Sequence, residues 1–359
     1  MKNNPIVKWL HQHLLNPFRR FPVAYAMLGY LYVATAFCYY PVSKHWLSAF
    51  IMMSLPLAMF AGALASIHLF RKGQKTVAAA GLVWLVCSLL VVKRLVGTPD
   101  TTMVWQNSRP LKVLSYNSET LPVSTVTTGR KSWLDVDIAC FQEFTPSSEA
   151  TWQFIDGVLQ LSDFGAGRKA GLALFSKYPI IAQYGRIWHR TQGPDINGFI
   201  CADIAYGADT IRVVNVHLWS MGIRTSQAVE ALREGQLSYF WSEMVDTFHR
   251  MKEGFEYRNE QLLEVETYVA GSRYPVIICG DFNEMPIGFS YGKLRQNFRN
   301  AFEEAGQGLG FTLNRHPYCV RIDQQFVSSD WIVRKCEVLS HIEVSDHFPV
   351  VAQYALAAR

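Results

Sequence analysis

The sequence predicts an α/β fold, a mixed sandwich of strands and helices, preceded by three transmembrane helices. Three apolar runs lie within residues 1–99, and from Leu111 onward short strand-like runs alternate with helical ones. Charge divides the chain at the same place, because ten Lys/Arg and no Asp/Glu precede Asp100, whereas the rest has 24 Lys/Arg and 29 Asp/Glu. An apolar fraction of 50% excludes a disordered chain. A basic apolar head thus joins a mildly acidic body.

The head is predicted to be a membrane domain of residues 1–97, with spans at about 21–40, 46–70 and 77–96. About 20 apolar residues cross the hydrocarbon core as a helix, and none of the three runs contains an acidic residue. The third run reaches that length only if Lys93 and Arg94 extend their charges to the interface. A soluble bundle would need polar helix faces, and a cleaved signal peptide would not be followed by two more apolar runs.

Positive charges predict the orientation of the head. Seven Lys/Arg lie in the N-terminal tail and in the loop between the second and third spans, and three lie on the other side. Because the more basic side stays in the cytoplasm, we expect an integral, multi-pass membrane protein with an extracytoplasmic body. If the third run is not a span, the body is cytoplasmic instead. The polar residues 98–110, with Pro near both ends, are predicted to be the linker.

The body is predicted to contain both strands and helices. The strand-like runs are LKVLSY (111–116), VDIACFQ (136–142), GLALFS (171–176), FICADIAY (199–206), TIRVVNVHL (210–218), VIICGDF (276–282), QFVSSDWIV (325–333) and FPVVAQYAL (348–356). The helical runs are residues 147–160, 225–250 and 259–271.

Polar side chains stand at the ends of five predicted strands. They are Asn117, Glu143, His217, Asp281 with Asn283, and Asp346 with His347. One such residue alone is more often a turn former or a cap. Because strand ends of a sheet aim side chains into one crevice, five together predict a shared site. Oxygen ligands favour Mg²⁺ or Mn²⁺ over Zn²⁺, and such a cation suits the chemistry of phosphate esters.

The same residues lie in motifs that resemble those of a known superfamily. The motifs are LSYNSE (114–119), CFQE (140–143), VNVHL (214–218), GDFN (280–283), RIDQQFVSS (321–329) and VSDHFPV (344–350). In this order they resemble the endonuclease/exonuclease/phosphatase superfamily, which includes pancreatic deoxyribonuclease, AP endonucleases, inositol polyphosphate 5-phosphatases and neutral sphingomyelinases. The resemblance implies a two-sheet α/β sandwich with outer helices over residues 111–359, with the active site at one edge.

The resemblance also implies which residues hold the metal, Mg²⁺ or Mn²⁺. Glu143 is similar to the principal metal carboxylate, and Asn117 to the amide near that metal. Asp346 resembles a second carboxylate on the metal side. Glu119 falls where some branches of the superfamily place a further acid.

The remaining matches imply catalytic roles. Asp281 resembles the residue that positions or deprotonates the attacking water, with Asn283 beside it. His347 is similar to the imidazole that contacts the phosphate, Asp323 to the acid that keeps it protonated, and His217 to a second phosphate-contacting histidine. A base formed by His347 and Asp323 is the alternative to Asp281. One departure is Gln324, where the family often has an aromatic residue at the floor of the pocket.

The implied activity is metal-dependent hydrolysis of a phosphoric ester, by a phosphodiesterase or phosphatase. The membrane anchor favours a lipid headgroup or another envelope phosphoester as substrate. A nuclease is the alternative, although duplex binding relies on Lys/Arg and the body is net acidic. A catalytically silent membrane adaptor is disfavoured because the motifs are complete. Trp219 either lines the substrate mouth or packs at its rim.

Overall fold

The computed structural model describes residues 16–41, 45–98, 109–121, 135–146, 154–165, 167–189, 195–221, 225–315 and 318–357. The chain divides into two compact units. One contains the residues up to Arg94 together with Ile287–Gly292, and the other contains Leu95–Pro286 and Lys293–Arg359. Most of the predicted linker, residues 99–108, lies outside the described residues.

The first unit is built from apolar helices. They are α1 (Asn16–Arg20), α2 (Pro22–Tyr39), α3 (Leu47–Met53), α4 (Leu55–Arg71) and α5 (Lys75–Val92), which a 3₁₀ turn (Lys93–Leu95) extends. Small residues let the helices approach closely, since a Cβ at Gly62 would collide with the side chain of Leu31. Helices α2 and α5 also share a hydrogen bond between the hydroxyls of Thr35 and Ser88 at 2.7 Å.

Two helices are long and apolar enough to cross a membrane, Pro22–Tyr39 and Lys75–Leu95. The run predicted as one span over 46–70 is instead a pair of helices, α3 and α4, bent by 61°. Proline near the start of α4 explains the break, because Pro56 has no N–H to continue the helix before it. Among the residues that the structure describes, the candidate spans therefore number two, or three if the bent pair is one span.

The predicted extension of Arg94 to the interface is not what the structure shows. Its side chain is buried in the first unit, where it donates a hydrogen bond to the backbone carbonyl of Cys38 at 2.9 Å. The guanidinium also lies over the ring of Tyr39, 5.5 Å from its centroid. Arg94 thus satisfies a carbonyl near the end of α2.

The second unit contains two mixed sheets of six strands each, which confirms the predicted α/β sandwich. The first sheet has the order β11-β12-β1-β2-β4-β3 and the second has the order β5-β6-β7-β8-β10-β9. The strands are β1 (Leu111–Asn117), β2 (Ile138–Phe144), β3 (Asp156–Gly165), β4 (Arg168–Ser176), β5 (Ile180–Ile187), β6 (Gly198–Tyr206), β7 (Asp209–His217), β8 (Val276–Asp281), β9 (Arg299–Asn300), β10 (Asp323–Val327), β11 (Trp331–Val338) and β12 (Val350–Leu356).

The inner faces of the two sheets form the main core. Buried side chains from β1 and β2 belong to the same hydrophobic cluster as those from β7 and β8, for example Val113, Ile138, Val213 and Ile277. Near the centre of each sheet two strands run parallel, β1 with β2 and β7 with β8. Parallel neighbours end at the same edge, so four strands deliver their C-terminal residues to one side of the sandwich.

Over the described part of the chain, the remaining helices are α6 (Thr225–Arg233), α7 (Leu237–Val269), α8 (Phe289–Leu294) and α9 (Ala301–Ala305). The predicted helix over 225–250 is interrupted, because Gly235 adopts a left-handed conformation (φ 71°) that ends α6. Beyond that break α7 continues without interruption through most of the third predicted helix, 259–271.

Two further expectations for the body were wrong. Within the predicted helix 147–160, the residues from Asp156 onward form β3, which pairs with β4 along its length; residues 147–153 lie outside the described residues. The single strand predicted over 325–333 is two strands in different sheets, β10 and β11, joined by a turn in which Trp331 N–H donates to the carbonyl of Ser328. Pairing with neighbouring strands overrode the local pattern in both places.

Candidate active site

Strand register brings three of the expected residues together in the second sheet. His217 of β7 is the parallel neighbour of Asp281 in β8, and Asp323 of β10 is the antiparallel neighbour of Asp281 on its other side. All three side chains are buried. The approach of β7 to β8 requires Gly280 (φ 145°), because a Cβ there would collide with the backbone of Val216.

The first sheet contributes Asn117 and Glu143 to the same place. Asn117 is the last residue of β1, and its Nδ2 donates to Asp281 Oδ2 at 3.1 Å and to Glu143 Oε1 at 3.3 Å. Its Oδ1 accepts the backbone N–H of Glu119 at 3.0 Å. The amide therefore links a carboxylate from each sheet.

Glu143 owes its direction to an irregularity in β2. The register between β2 and β4 shifts between Phe141 and Phe144, and Glu143 itself has φ 50°. A bulge re-aims a side chain, and a left-handed non-glycine residue costs about 1–3 kcal/mol. Ser118 Oγ donates to the Glu143 carbonyl at 3.2 Å and holds this conformation. The Glu143 carboxylate retains 22% exposure, far more than that of Asp281 at 1%.

Asp281 is the centre of the polar cluster. Its Oδ1 accepts the backbone N–H of Asn283 at 2.8 Å, and its Oδ2 accepts the Asn283 side-chain amide at 3.3 Å. Oδ2 also lies 3.6 Å from His217 Nε2 and 3.8 Å from His347 Nε2. Asn283 (φ 50°) is held in turn by its amide, which donates to the Leu218 carbonyl at 3.0 Å.

His347 and Asp323 form a buried pair. The distance between His347 Nδ1 and Asp323 Oδ2 is 2.9 Å, and Asp323 N–H donates to Thr312 Oγ1 at 3.2 Å. Burial alone would lower the pKa of His347, but the charges of Asp323 and Asp281 outweigh it and raise that pKa to about 10. The two carboxylates therefore favour the protonated form of His347, whose Nε2 faces Asp281.

His217 is oriented by a backbone carbonyl. Its Nδ1 lies 3.1 Å from the carbonyl oxygen of Ile196, which can only accept a hydrogen bond, so Nδ1 carries a proton. Nε2 then faces the two carboxylates, 3.6 Å from Asp281 and 3.8 Å from Glu143. The ring thus stands between the acidic groups of the two sheets.

Asp346 and Glu119 lie at the outer side of the cluster and contact each other. Glu119 is exposed, and its Oε2 accepts the backbone N–H of Asp346 at 2.9 Å. The Asp346 carboxylate is 2.6 Å from Arg315 Nη1 and 3.9 Å from His347 Nε2. These contacts fix the loop that carries His347, and a role in metal binding stays a prediction for both residues.

Sequence reasoning missed two residues that hold the loops of the site. Arg258 of α7 is buried and donates through Nη1 to the carbonyls of Trp219 and Asn283, both at 3.1 Å. Gln261, one turn further, accepts the Trp219 N–H at 2.8 Å. Burial lowers the pKa of Arg258. The predicted helices 225–250 and 259–271 leave Arg258 between them, so no local pattern in the sequence identified it.

Trp219 follows β7 and is half-buried at the site. Its ring stacks on Tyr257 of α7, with ring centroids 4.2 Å apart and planes inclined by 24°. Of the two interpretations of Trp219, the packing one is therefore supported by a contact, while a role in lining the substrate mouth stays a prediction.

The donor set fits a hard divalent cation. Carboxylate oxygens of Glu143 and Asp281 both face the amide of Asn117. They also both face the imidazole of His217. Among the described residues, this cluster contains no sulfur ligand. Asp281, Asp323 and His347 also bring one ligand atom each within 4.8 Å of one another. His347 Nδ1 is already hydrogen-bonded to Asp323. We therefore interpret His347 and Asp323 as a hydrogen-bonded pair and not as ligands of the cation.

The fold has counterparts among solved structures. An endonuclease/exonuclease/phosphatase from Beutenbergia cavernae DSM 12333 is 16% identical, with a TM-score of 0.52 over 70% of this chain and 72% of that one. The human Nocturnin catalytic domain is 18% identical (TM-score 0.48, 70% and 97% covered), and sphingomyelinase C from Streptomyces griseocarneus is 14% identical (TM-score 0.46, 68% and 99% covered). No curated protein sequence matches significantly.

The sequence comparison agrees with the fold. The endonuclease/exonuclease/phosphatase family matches residues 107–347, which span the strands of the site and end at His347. Members of this family are generally hydrolases that act on phosphoesters. With two sheets that meet at a shared acidic and imidazole cluster, this chain belongs to the endonuclease/exonuclease/phosphatase family.

Proposed function

We infer that this protein is a membrane-anchored hydrolase that uses a divalent cation to cleave a phosphoester by in-line attack of water. Side chains from both sheets and from the loop before β12 meet within hydrogen-bond or ion-pair distance, and this observation carries the proposal. They are Asn117, Glu143, His217, Asp281 and His347. Such a displacement needs a positioned nucleophile and neutralised charge more than covalent chemistry.

Asp281 is the proposed base. Its Oδ1 and Oδ2 are held by Asn283, and Asn117 holds Oδ2 as well, so the carboxylate has one orientation in which to accept a proton from water. His347, charged by its partner Asp323, is suited to bind a phosphate oxygen through Nε2. His217 offers Nε2 as a second contact from the other side of Asp281.

Glu143 would hold Mg²⁺ or Mn²⁺, with Asn117 next to it. Its carboxylate is the more exposed of the two central acids, so it is accessible to a hydrated ion. When bound there, the cation supplies charge neutralisation at a phosphoryl oxygen. Asp346 and Glu119 are further candidates at the outer side of the site.

A lipid headgroup or another envelope phosphoester is the proposed substrate. Two helices of the first unit are long and apolar enough to cross a membrane, which indicates membrane association. The chain from Asp100 onward has five more acidic than basic residues, and a net acidic body disfavours binding to the polyanionic nucleic acid backbone. The proposed membrane domain of residues 1–97 keeps the hydrolase at the bilayer, with the body on the extracytoplasmic side.

The test uses the full chain, purified in detergent and supplied with Mg²⁺. We expect hydrolysis of bis-p-nitrophenyl phosphate, faster release of phosphoryl products from phospholipid or sphingolipid vesicles than nicking of plasmid DNA, and loss of all three in the Asp281→Asn variant. Plasmid nicking as fast as turnover of the best lipid would favour a nuclease. Equal rates for parent and variant on every substrate would overturn the enzymatic assignment.

A further inference from the structure

The first half of helix α7 presents an apolar stripe to solvent. Leu237, Trp241, Met244, Val245 and Phe248 recur at spacings of three and four residues and therefore share one face. Their side chains are between 42% and 64% exposed. A contiguous exposed patch of large apolar side chains, unlike scattered ones, marks an interaction site.

The second half of the same helix is packed against its own unit. From Gly254 onward α7 buries Phe255, Arg258, Leu262 and Val265, and Arg258 reaches the loops of the active site. Leu237 precedes the buried Phe255 by 18 residues, or five helical turns, so the stripe continues part of the buried face of α7 into a segment where that face is exposed. One continuous helix connects an exposed apolar end to the residues that hold Trp219 and Asn283.

We propose that this stripe, formed by residues 237–248, lies in the interfacial layer of a lipid bilayer. The proposal rests on the membrane anchor in the proposed function and adds a second, peripheral contact to it. An amphipathic helix with one apolar face and one polar face lies in the plane of such an interface, and Trp is a side chain that favours this depth.

The composition around the stripe distinguishes a bilayer from a charged partner. Residues 225–256 contain three Lys/Arg and six Asp/Glu, so attraction to anionic lipid does not drive the contact. The binding free energy must therefore come from burial of apolar side chains. The candidate spans in the same chain keep the helix near the lipid. We therefore expect the contact to form on a zwitterionic bilayer.

Docking of the stripe would orient the active site relative to the bilayer. Arg258 and Gln261 attach α7 to the loop after β7, and Arg258 also attaches it to the loop after β8. Docking of residues 237–248 at the interface would hold these loops at a fixed distance from the lipid surface. A lipid substrate would then reach the site without leaving the bilayer.

The experiment is photo-crosslinking of the full chain in phosphatidylcholine nanodiscs. Trp241→p-benzoylphenylalanine places the photoreactive group on the stripe, and Ser242→p-benzoylphenylalanine places it at an exposed position on a different face of the same helix. Leu82→p-benzoylphenylalanine, in the candidate span Lys75–Leu95, is the positive control. After irradiation, mass spectrometry of the labelled peptide reports a lipid adduct, another peptide or water.

We expect lipid adducts at positions 241 and 82, and at least a tenfold lower yield at 242. An adduct at 82 without one at 241, or crosslinks from 241 to a second chain or to the helices of the first unit, would overturn the docking proposal. Equal lipid yields at 241 and 242 would also overturn it, and no adduct at 82 would remove the anchor on which it rests. Because crosslinking needs no turnover, lipid adducts in a chain without hydrolase activity would refute the proposed function alone.

Discussion

The two sheets support the candidate site in different ways. From the second sheet, His217, Asp281 and Asp323 enter at paired strand positions, and each is at most 2% exposed. From the first sheet, Glu143 enters through a bulge with φ 50° and keeps a carboxylate that is 22% exposed, and Glu119 beyond it is exposed and also left-handed (φ 52°).

This difference separates two tasks. Buried groups at fixed register keep one geometry, as proton transfer and phosphate binding require. A partly exposed carboxylate on an irregular backbone is open to solvent, as exchange of a hydrated cation requires. The second sheet is therefore expected to control the chemical step and the first to control cation affinity, and variants in each sheet test this division.

Asp281→Asn should give the largest effect. The substitution keeps the shape and removes the acceptor of a proton, so kcat on a soluble phosphodiester should fall on the order of 10³-fold. The Mg²⁺ concentration needed for half-maximal rate should change little, since the cation is assigned to Glu143. Rates measured over a Mg²⁺ titration check both statements. A tenfold or larger shift in Mg²⁺ requirement with unchanged kcat would assign Asp281 to the metal instead.

Glu143→Gln should give the reciprocal result. Loss of the proposed metal carboxylate should raise the half-saturating Mg²⁺ concentration at least tenfold, because even residues behind metal ligands cost tenfold or more when mutated. High Mg²⁺ should restore a large part of kcat. Isothermal titration calorimetry with Mg²⁺ on the parent and the variant gives the same comparison without turnover. Unchanged Mg²⁺ affinity would contradict the division between the sheets.

The sequence predicts the placement of the site residues in the second sheet better than that of the site residues in the first sheet. Asp281 and His217 each follow an apolar run, so strand periodicity alone predicts their placement at strand ends. The conformation of Glu143 depends on a bulge that forms only when β2 pairs with β4. Register shifts of this kind arise from pairing between distant segments and leave no local pattern.

The same reason explains the residues that were missed. Arg258 precedes the predicted helix 259–271, and only the continuous α7 places it between the loops after β7 and β8. Ser345, whose Oγ donates to the carbonyl of Asn117 at 2.8 Å, joins segments far apart in the chain. Contacts between distant segments decide these roles, whereas composition and periodicity describe only neighbours.

Asp323→Asn tests the buried pair that joins Asp323 of the second sheet to His347, which lies in the loop before β12. Asp323 is the strongest of the charges that raise the pKa of His347 to about 10, so that pKa should be lower in the variant, where only Asp281 and Asp346 still raise it against burial. Since a raised pKa keeps the imidazole charged, activity of the variant should decline as pH rises through neutral, whereas the parent retains a charged His347. We expect kcat to be lower by about 10²-fold at pH 8 and by less at pH 6. Equal losses at both pH values would argue against the charged imidazole.

Arg258→Met should give the smallest effect and test whether the loops, rather than the two sheets alone, set the geometry. The variant keeps a long side chain but loses the donors to the carbonyls of Trp219 and Asn283. We expect kcat to fall about tenfold with KM for a soluble diester nearly unchanged, because misplacing Asn283 disturbs the water at Asp281 more than substrate binding. Arg258→Lys should recover part of the loss of kcat, since an ammonium can reach one carbonyl.

Arg250→Met is the matched control on the same helix. Arg250 pairs with Asp246 on the surface, so its substitution should leave kcat unchanged. If the Arg258→Met variant loses thermal stability but keeps its kcat, Arg258 is a packing residue of α7. The residues of the two sheets would then set the geometry of the site without help from these loops.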